Sequence, residues 1–280
     1  MNNRPIGVFD SGLGGLTAVK ELKKMLPNED IVYFGDTGRV PYGTRSRETI
    51  IKYAFQDIKF LLRHQAKLII AACGTVSSVA NEEIKERFNL PYTGVVSPTA
   101  FAACKATRNK KVGVLGTAAT INSHSYKKQI EVFDCEIEVI EQPCPLFVPF
   151  VENGIVSKDE TLVRLIVERY LAQLKSFGVD TVVLGCTHYP LLKDAIADFL
   201  GSSVTLIDSG KETAVYAAKL LKEKDLLSSK QQPGEQMFFV SDTPEGFTTM
   251  AGLFLGESME KYVRQINVDV LYGYNAVKTD

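Results

Sequence analysis

Short apolar runs rich in β-branched residues alternate along the chain with stretches whose apolar positions return every three or four residues. That alternation predicts buried parallel strands joined by amphipathic helices. Pro5–Asp10 reads as a first strand, and Ser11-Gly12-Leu13-Gly14-Gly15-Leu16-Thr17 as a glycine-rich turn opening a helix over Leu16–Met25. Asp30–Gly35 is a second strand. The turn-rich loop Asp36–Arg45 follows, then a long helix with Ile50, Ala54, Ile58, Leu61 and Leu62 on one face. The apolar run from Lys67 to Ala72 predicts a third strand ending at Cys73, where a new helix begins. Tyr92–Val96 is a short fourth strand before the helix-start pair Ser97-Pro98.

Lys111–Gly116 opens a second series. A hydroxyl-bearing turn at Thr117–Thr120, a helix over Ile121–Val132 and a strand over Cys135–Glu141 follow. Pro143, Pro145 and Pro149 exclude a regular helix or central strand from Gln142–Gly154, and Cys144 between two prolines reads as a packed residue. The helix Lys158–Phe177 places Leu162, Leu165, Ile166, Tyr170 and Leu174 on one side and ends at Gly178. Thr181–Leu184 is again a strand, leading to Gly185-Cys186-Thr187-His188. Thr205–Asp208 and Met237–Val240 are further strands, with a helix from Ser209 to about Lys222 between them. Glu223–Gln236 reads as a polar surface connection, and Tyr272–Asp280 as a fraying end.

The unit at 111–120 repeats the pattern of 6–15, and the unit at 181–190 repeats that of 67–79. The chain therefore reads as a doubled α/β design, each half carrying one hydroxyl-bearing turn and one cysteine turn. At 280 residues and 45% hydrophobic content it has enough material for one large or two smaller cores. A formal charge of −1 without a basic block argues against nucleic acid, and no apolar run reaches the length of a membrane span. The start leads straight into a strand without a signal-peptide core. Cys73, Cys104, Cys135, Cys144 and Cys186 lack disulfide-framework or CxxC spacing, so free thiols and a cytoplasmic location are expected. Neither GxGxxG nor a Walker loop is present, and Cys186 with His188 is too small a ligand set for zinc. No cofactor and no metal are expected.

Two thiols at strand ends suggest proton transfer at a carbon acid. Inverting a stereocentre needs a base on one face and an acid on the other, and a thiol of ordinary pKa about 8.5 needs little tuning for either role. The start of a helix also favours a thiolate. Asp10 would relay protons for Cys73 and His188 for Cys186. A charged Asp10 raises the thiol pKa, so its part is that of proton acceptor. Each residue has a plainer reading: Cys73 as a core hydrophobe, Asp10 as a helix cap, His188 as a packing residue, Glu152 as a surface carboxylate within reach of a cleft.

Ile6–Gly15, Tyr33-Phe34-Gly35-Asp36 leading to Val40-Pro41-Tyr42-Gly43, the Cys73 strand, Gly113–Thr117 with Thr120, and Leu184–Pro190 together resemble the glutamate racemases, in order and over nearly the whole chain. The resemblance implies two similar doubly wound, mostly parallel α/β domains, 1–97 with 209–280 and 98–208, and an active site in the cleft between them. It implies cofactor-independent interconversion of L- and D-glutamate, supplying D-glutamate for peptidoglycan, in a homodimer. Cys73 and Cys186 then correspond to the acid/base pair, assisted by Asp10, His188 and Glu152. Asp10, Ser11, Pro41, Tyr42, Gly43, Gly74, Thr75, Thr117, Thr120, Thr187 and His188 correspond to the substrate-binding positions. One departure is Cys73-Gly74-Thr75, where the family usually has Cys-Asn-Thr. The missing amide hydrogen bond is worth about 1 kcal/mol unless a backbone N–H or water replaces it. An aspartate or other amino-acid racemase, or a non-catalytic small-anion binder built on Ser11–Gly15, are the alternatives.

Overall fold

The structure, a computed structural model, describes residues 2–256 and 263–267. Ten strands among these residues form two wholly parallel sheets. The first has the order β10-β9-β2-β1-β3-β4 and comprises β1 (Ile6–Asp10), β2 (Ile31–Gly35), β3 (Leu68–Ala71), β4 (Tyr92–Gly94), β9 (Gln236–Val240) and β10 (Val263–Gln265). The second, in the order β6-β5-β7-β8, comprises β5 (Lys111–Gly116), β6 (Glu138–Pro143), β7 (Thr181–Leu184) and β8 (Thr205–Asp208). Helices α1 (Leu16–Met25), α2 (Arg47–Arg63), α3 (Gly74–Val79), α4 (Asn81–Arg87) and α5 (Val96–Ala106) follow the early strands in turn. Then come α6 (Ala118–Ser123), α7 (Ser125–Phe133), α8 (Phe147–Glu152), α9 (Thr161–Phe177), α10 (Lys193–Leu200), α11 (Ser209–Glu223) and α12 (Pro244–Leu255).

The doubling read from the sequence is present in the pairing. β1 lies between β2 and β3, with Val8 level with Tyr33 and Ile70, and β5 lies between β6 and β7, with Val114 level with Glu141 and Val183. In each sheet the chain steps from a central strand to one neighbour and later returns on the other side. Ligands of open parallel sheets gather beyond the strands' carboxyl ends at such a reversal. β1 and β3 are buried along their whole length, which is why they read as continuous apolar runs. α11 leaves β8 of the second sheet and packs against both α1 and α5. Asp208 caps it, accepting hydrogen bonds from the Gly210 and Lys211 N–H groups at 2.8 and 3.2 Å.

Several elements differ from expectation. The helix expected over 121–132 is two helices broken at His124, which has a left-handed φ of 53°. Ser123 Oγ donates to Thr120 O at 2.6 Å and accepts from Ser125 N–H at 3.2 Å, competing with the helical ladder there. The proline-broken segment does hold one short helix, α8, because Pro149 sits in its first turn, where no N–H is needed. β6 starts at Glu138 rather than Cys135 and ends at Pro143, which an edge strand tolerates. β4 stops at Gly94, and α5 takes Val96. On α9 the buried stripe is Val163, Ile166, Val167, Leu171 and Leu174, while Leu162 and Leu165 are exposed. That helix carries two overlapping apolar stripes, and packing selects the one turned toward the sheet. The tail Tyr272–Asp280 lies outside the described residues. No helix among those described is long and apolar enough to cross a membrane.

Candidate active site

The carboxyl ends of β1, β3, β5 and β7 converge on a cavity of about 310 Å³. The first sheet's loops supply Ser11, Gly12, Val40 to Thr44, Cys73, Gly74 and Thr75. The second sheet's supply Thr117, Ala118, Gly185 to His188, and Cys144, Pro145, Val148, Pro149 and Glu152 from the segment around α8. A larger groove of about 710 Å³ opens between α3, α4 and α7, but it holds neither Cys73 nor Cys186. The smaller cavity is therefore the one equipped for thiol chemistry.

Cys73, the residue before α3, is buried, and its Sγ donates to Ser11 Oγ at 3.5 Å. Burial, with the charge of Asp10 adding to it, pushes the thiol up to about 12, so it is neutral near pH 7. Asp10 lies behind the wall rather than in it. Its Oδ2 accepts from the Gly12 N–H at 2.9 Å, and its Oδ1 has no hydrogen-bond partner among the described residues. Burial raises the Asp10 pKa against the opposing pull of His188 and nearby backbone N–H groups.

On the opposite side His188 links two other groups. Its Nδ1 lies 3.8 Å from Cys186 Sγ and 3.5 Å from Thr187 Oγ1, and its Nε2 lies 3.2 Å from Glu152 Oε1. Phe254 closes the ring's other side edge-on, at 5.5 Å between centroids. Burial works against the imidazolium, but the bonds to Cys186 and Glu152 and the charges of Cys186 and Asp10 outweigh it and bring His188 to about 10. An unfolded histidine titrates near pH 6.5, so this contribution to stability is complete below about 6.5 and is lost as the pH rises to 10. Wild-type unfolding free energy in denaturant should therefore fall more steeply than that of His188→Gln across this range. Equal slopes would refute the assignment; Cys73, which also titrates at high pH, is common to both proteins.

Hydroxyl groups join the halves. Thr75 Oγ1 lies 3.1 Å from Thr117 Oγ1, which lies 3.1 Å from Thr120 Oγ1. Thr117 also caps α6 by accepting from the Thr120 N–H, and Thr120 stands behind it, outside the cavity wall. Tyr42 is held from behind by charge. Its hydroxyl donates to Asp36, whose Oδ2 also accepts from Arg39 Nε at 2.6 Å, while Arg39 reaches Asp57 at 3.1 Å and lies 4.1 Å above the Tyr53 ring. Ser241 Oγ donates to the other oxygen of Asp36 at 2.7 Å.

Of the residues singled out in the sequence, Ser11, Pro41, Tyr42, Gly43, Cys73, Gly74, Thr75, Thr117, Glu152, Cys186, Thr187 and His188 all line the cavity. Asp10 and Thr120 stand one layer back. The turn-rich loop 36–45 supplies Val40 to Thr44 to the wall, as its place after a strand suggests, whereas sequence reasoning misses Val148, Pro149 and the wall position of Cys144, which carry no distinctive signal. The prolines around Cys144 are the one available hint. Among the described residues no group of three or more His, Cys, Asp or Glu side chains is placed to hold a metal ion.

Residues 11–217 match the Asp/Glu/hydantoin racemase family. A glutamate racemase of Geobacter metallireducens is 46% identical over 253 residues, covering 90% of this chain and 93% of that one. The crystal structure of glutamate racemase from Francisella tularensis in complex with D-glutamate superposes with a TM-score of 0.89 at 41% identity, covering 96% of this chain and all of that one. An aspartate racemase of Picrophilus torridus reaches a TM-score of 0.58 at 20% identity over 79% of this chain and 94% of that one, a likeness of fold alone. With identities of this size over nearly its whole length, the chain belongs to the glutamate racemases of the Asp/Glu/hydantoin racemase family, a family of isomerases.

Proposed function

We propose that the chain interconverts L- and D-glutamate, without a cofactor, by passing a proton at Cα between Cys73 and Cys186. The observation that carries this reading is the meeting of two cysteine turns, one from each parallel sheet, across one cavity of about 310 Å³. One sulfur, as thiolate, takes the Cα proton. The other, as thiol, gives a proton to the opposite face, so each turnover leaves the two protonation states exchanged. Asp10 and the His188–Glu152 pair reset them. The buried Cys73 needs help to ionise, and the ammonium of a bound amino acid supplies the positive charge that lowers a thiol pKa.

Ser11, Pro41, Tyr42, Gly43, Gly74, Thr75, Thr117 with Thr120 behind it, and Thr187 offer hydroxyl and backbone groups for two carboxylates. Kinship at 46% identity with a glutamate racemase, against 20% with an aspartate racemase, favours glutamate over aspartate. Family membership also sets aside the non-catalytic binder. The same kinship supports the remaining parts of the reading: two domains divided as 1–97 with 209–280 and 98–208, a cytoplasmic homodimer, and D-glutamate delivered to peptidoglycan.

Incubation with L- or D-glutamate in heavy water tests the proposal. Deuterium should enter Cα of the product from either enantiomer, with glutamate turned over faster than aspartate, and sedimentation should give the mass of two chains. Binding of glutamate measured by calorimetry without Cα exchange would overturn it.

A further inference from the structure

The groups that reset the two thiols are backed by one helix. α12 turns Phe247, Ala251, Phe254 and Leu255 inward, and its two phenylalanines lie seven residues apart on one face, about two turns and about 10 Å along the axis. Phe254 packs perpendicular to the His188 ring, with centroids 5.5 Å apart and planes at 90°. Phe247 packs against Tyr33, with centroids 6.1 Å apart, and Phe238 of β9 flanks the same ring at 6.1 Å. The Tyr33 hydroxyl donates to Gly12 O at 2.7 Å, on the residue whose N–H donates to Asp10 Oδ2 at 2.9 Å. Tyr33, Phe247 and Phe254 are all buried, and none of them lines the cavity.

We propose that α12 positions both resetting groups, Phe254 fixing the His188 ring between Cys186 and Glu152, and Phe247 fixing, through Tyr33, the turn that holds Asp10. The two phenylalanines are positioning residues. The proposal rests on the reading of Asp10 and His188 as the groups that reset the thiols, and adds what holds the two in place from behind. An imidazole engaged at both nitrogens works at one ring angle only, because a turn about Cβ–Cγ swings Nδ1 away from Cys186 and Nε2 away from Glu152 together. A perpendicular aromatic ring blocks that turn, whereas a leucine leaves space for it. On the first half, a Tyr33 ring that shifts on losing Phe247 releases the Gly12 carbonyl, and with it the residue that binds Asp10.

Resetting is a step of turnover, so its misalignment lowers kcat rather than substrate affinity. Phe254→Leu should lower kcat for glutamate racemisation about tenfold, less than the loss of about 10²-fold or more that follows removal of a whole acid–base group, with KM within about twofold of wild type. Phe247→Leu should do the same. Phe254→Met and Phe247→Met, nearer in volume to the native ring, serve where a leucine variant does not fold. The deciding readout is coupling. Added to His188→Gln, Phe254→Leu should cost less than about twofold, because the ring it positions is gone, and Phe247→Leu should likewise lose its effect when added to Asp10→Asn. A loss that reflects only a weakened core is the same in every background. A folded variant of either phenylalanine with wild-type kcat, or an effect undiminished in the background of its partner, overturns the proposal. Wild-type kcat in His188→Gln or Asp10→Asn would instead overturn the reading of that residue as a resetting group, so the two failures are distinct.

Discussion

Cys73→Ala and Cys186→Ala should each lower glutamate racemisation by at least about 10³-fold, toward the upper range expected for a general acid or base. The effect is large because neither sulfur has a substitute on its own side. Cys73 Sγ donates to Ser11 Oγ at 3.5 Å, an alcohol far too weakly acidic to replace a thiol. Asp10 lies behind the turn, bonded to the Gly12 N–H. On the other side His188, which shares the cavity wall, is engaged by Cys186 and Glu152. Initial rates from both enantiomers, followed by polarimetry, check the expectation. If one variant keeps wild-type turnover while the other loses it, the scheme with two bases fails.

The second large effect concerns stability. Arg39→Ala should lower the unfolding free energy by about 3 kcal/mol, the lower end of the cost of breaking a buried ion pair. Asp36 and Asp57 are both buried, and Arg39, whose side chain is 14% exposed, is the cation between them. Burial, with the negative charge of Asp36 adding to it, holds the Asp57 carboxyl well above its usual range, so Asp57 takes up a proton more readily than an ordinary carboxylate beside Arg39. Two variants on the same network should then behave oppositely. Asp57→Asn, which mimics a protonated carboxyl, should be mild, and Arg39→Ala severe. Because the network backs Tyr42 and the wall from Val40 to Thr44, Arg39→Ala should also raise KM for glutamate. Denaturant unfolding in which Asp57→Asn costs as much as Arg39→Ala would reject this reading of Asp57.

Part of this architecture is legible in the amino-acid order, and the rest is hidden for physical reasons. Strands buried on both faces leave continuous apolar runs, and β1, β3, β5 and β7 do so, each followed by a turn of small or hydroxyl residues. Their carboxyl ends therefore mark the site in the sequence itself. The buried face of α9 is not legible in this way, because Leu162 and Leu165 lie beside Val163 and Ile166, and periodicity alone cannot choose between adjacent stripes. Val148 and Pro149 look like ordinary core residues until the fold turns them toward a cavity. Asp57 is bracketed by Gln56 and Ile58 on α2, and nothing local distinguishes it from a solvated helix carboxylate. The contact of Thr75 with Thr117 joins residues more than forty positions apart, and only the packed halves bring them together.

The place of β2 in the first sheet bears on how the protein is made. Its outer edge pairs with β9, so Val32, Tyr33 and Phe34 leave the ribosome roughly 200 residues before the strand that covers them. At about 5–20 residues per second that edge stays open for about 10 s or longer. The four-stranded sheet, by contrast, can close as soon as β8 emerges. An apolar edge left unpaired for that interval is a template for wrong pairing. A nascent chain of this enzyme halted before Gln236 is accordingly the form that would most need shielding from its neighbours.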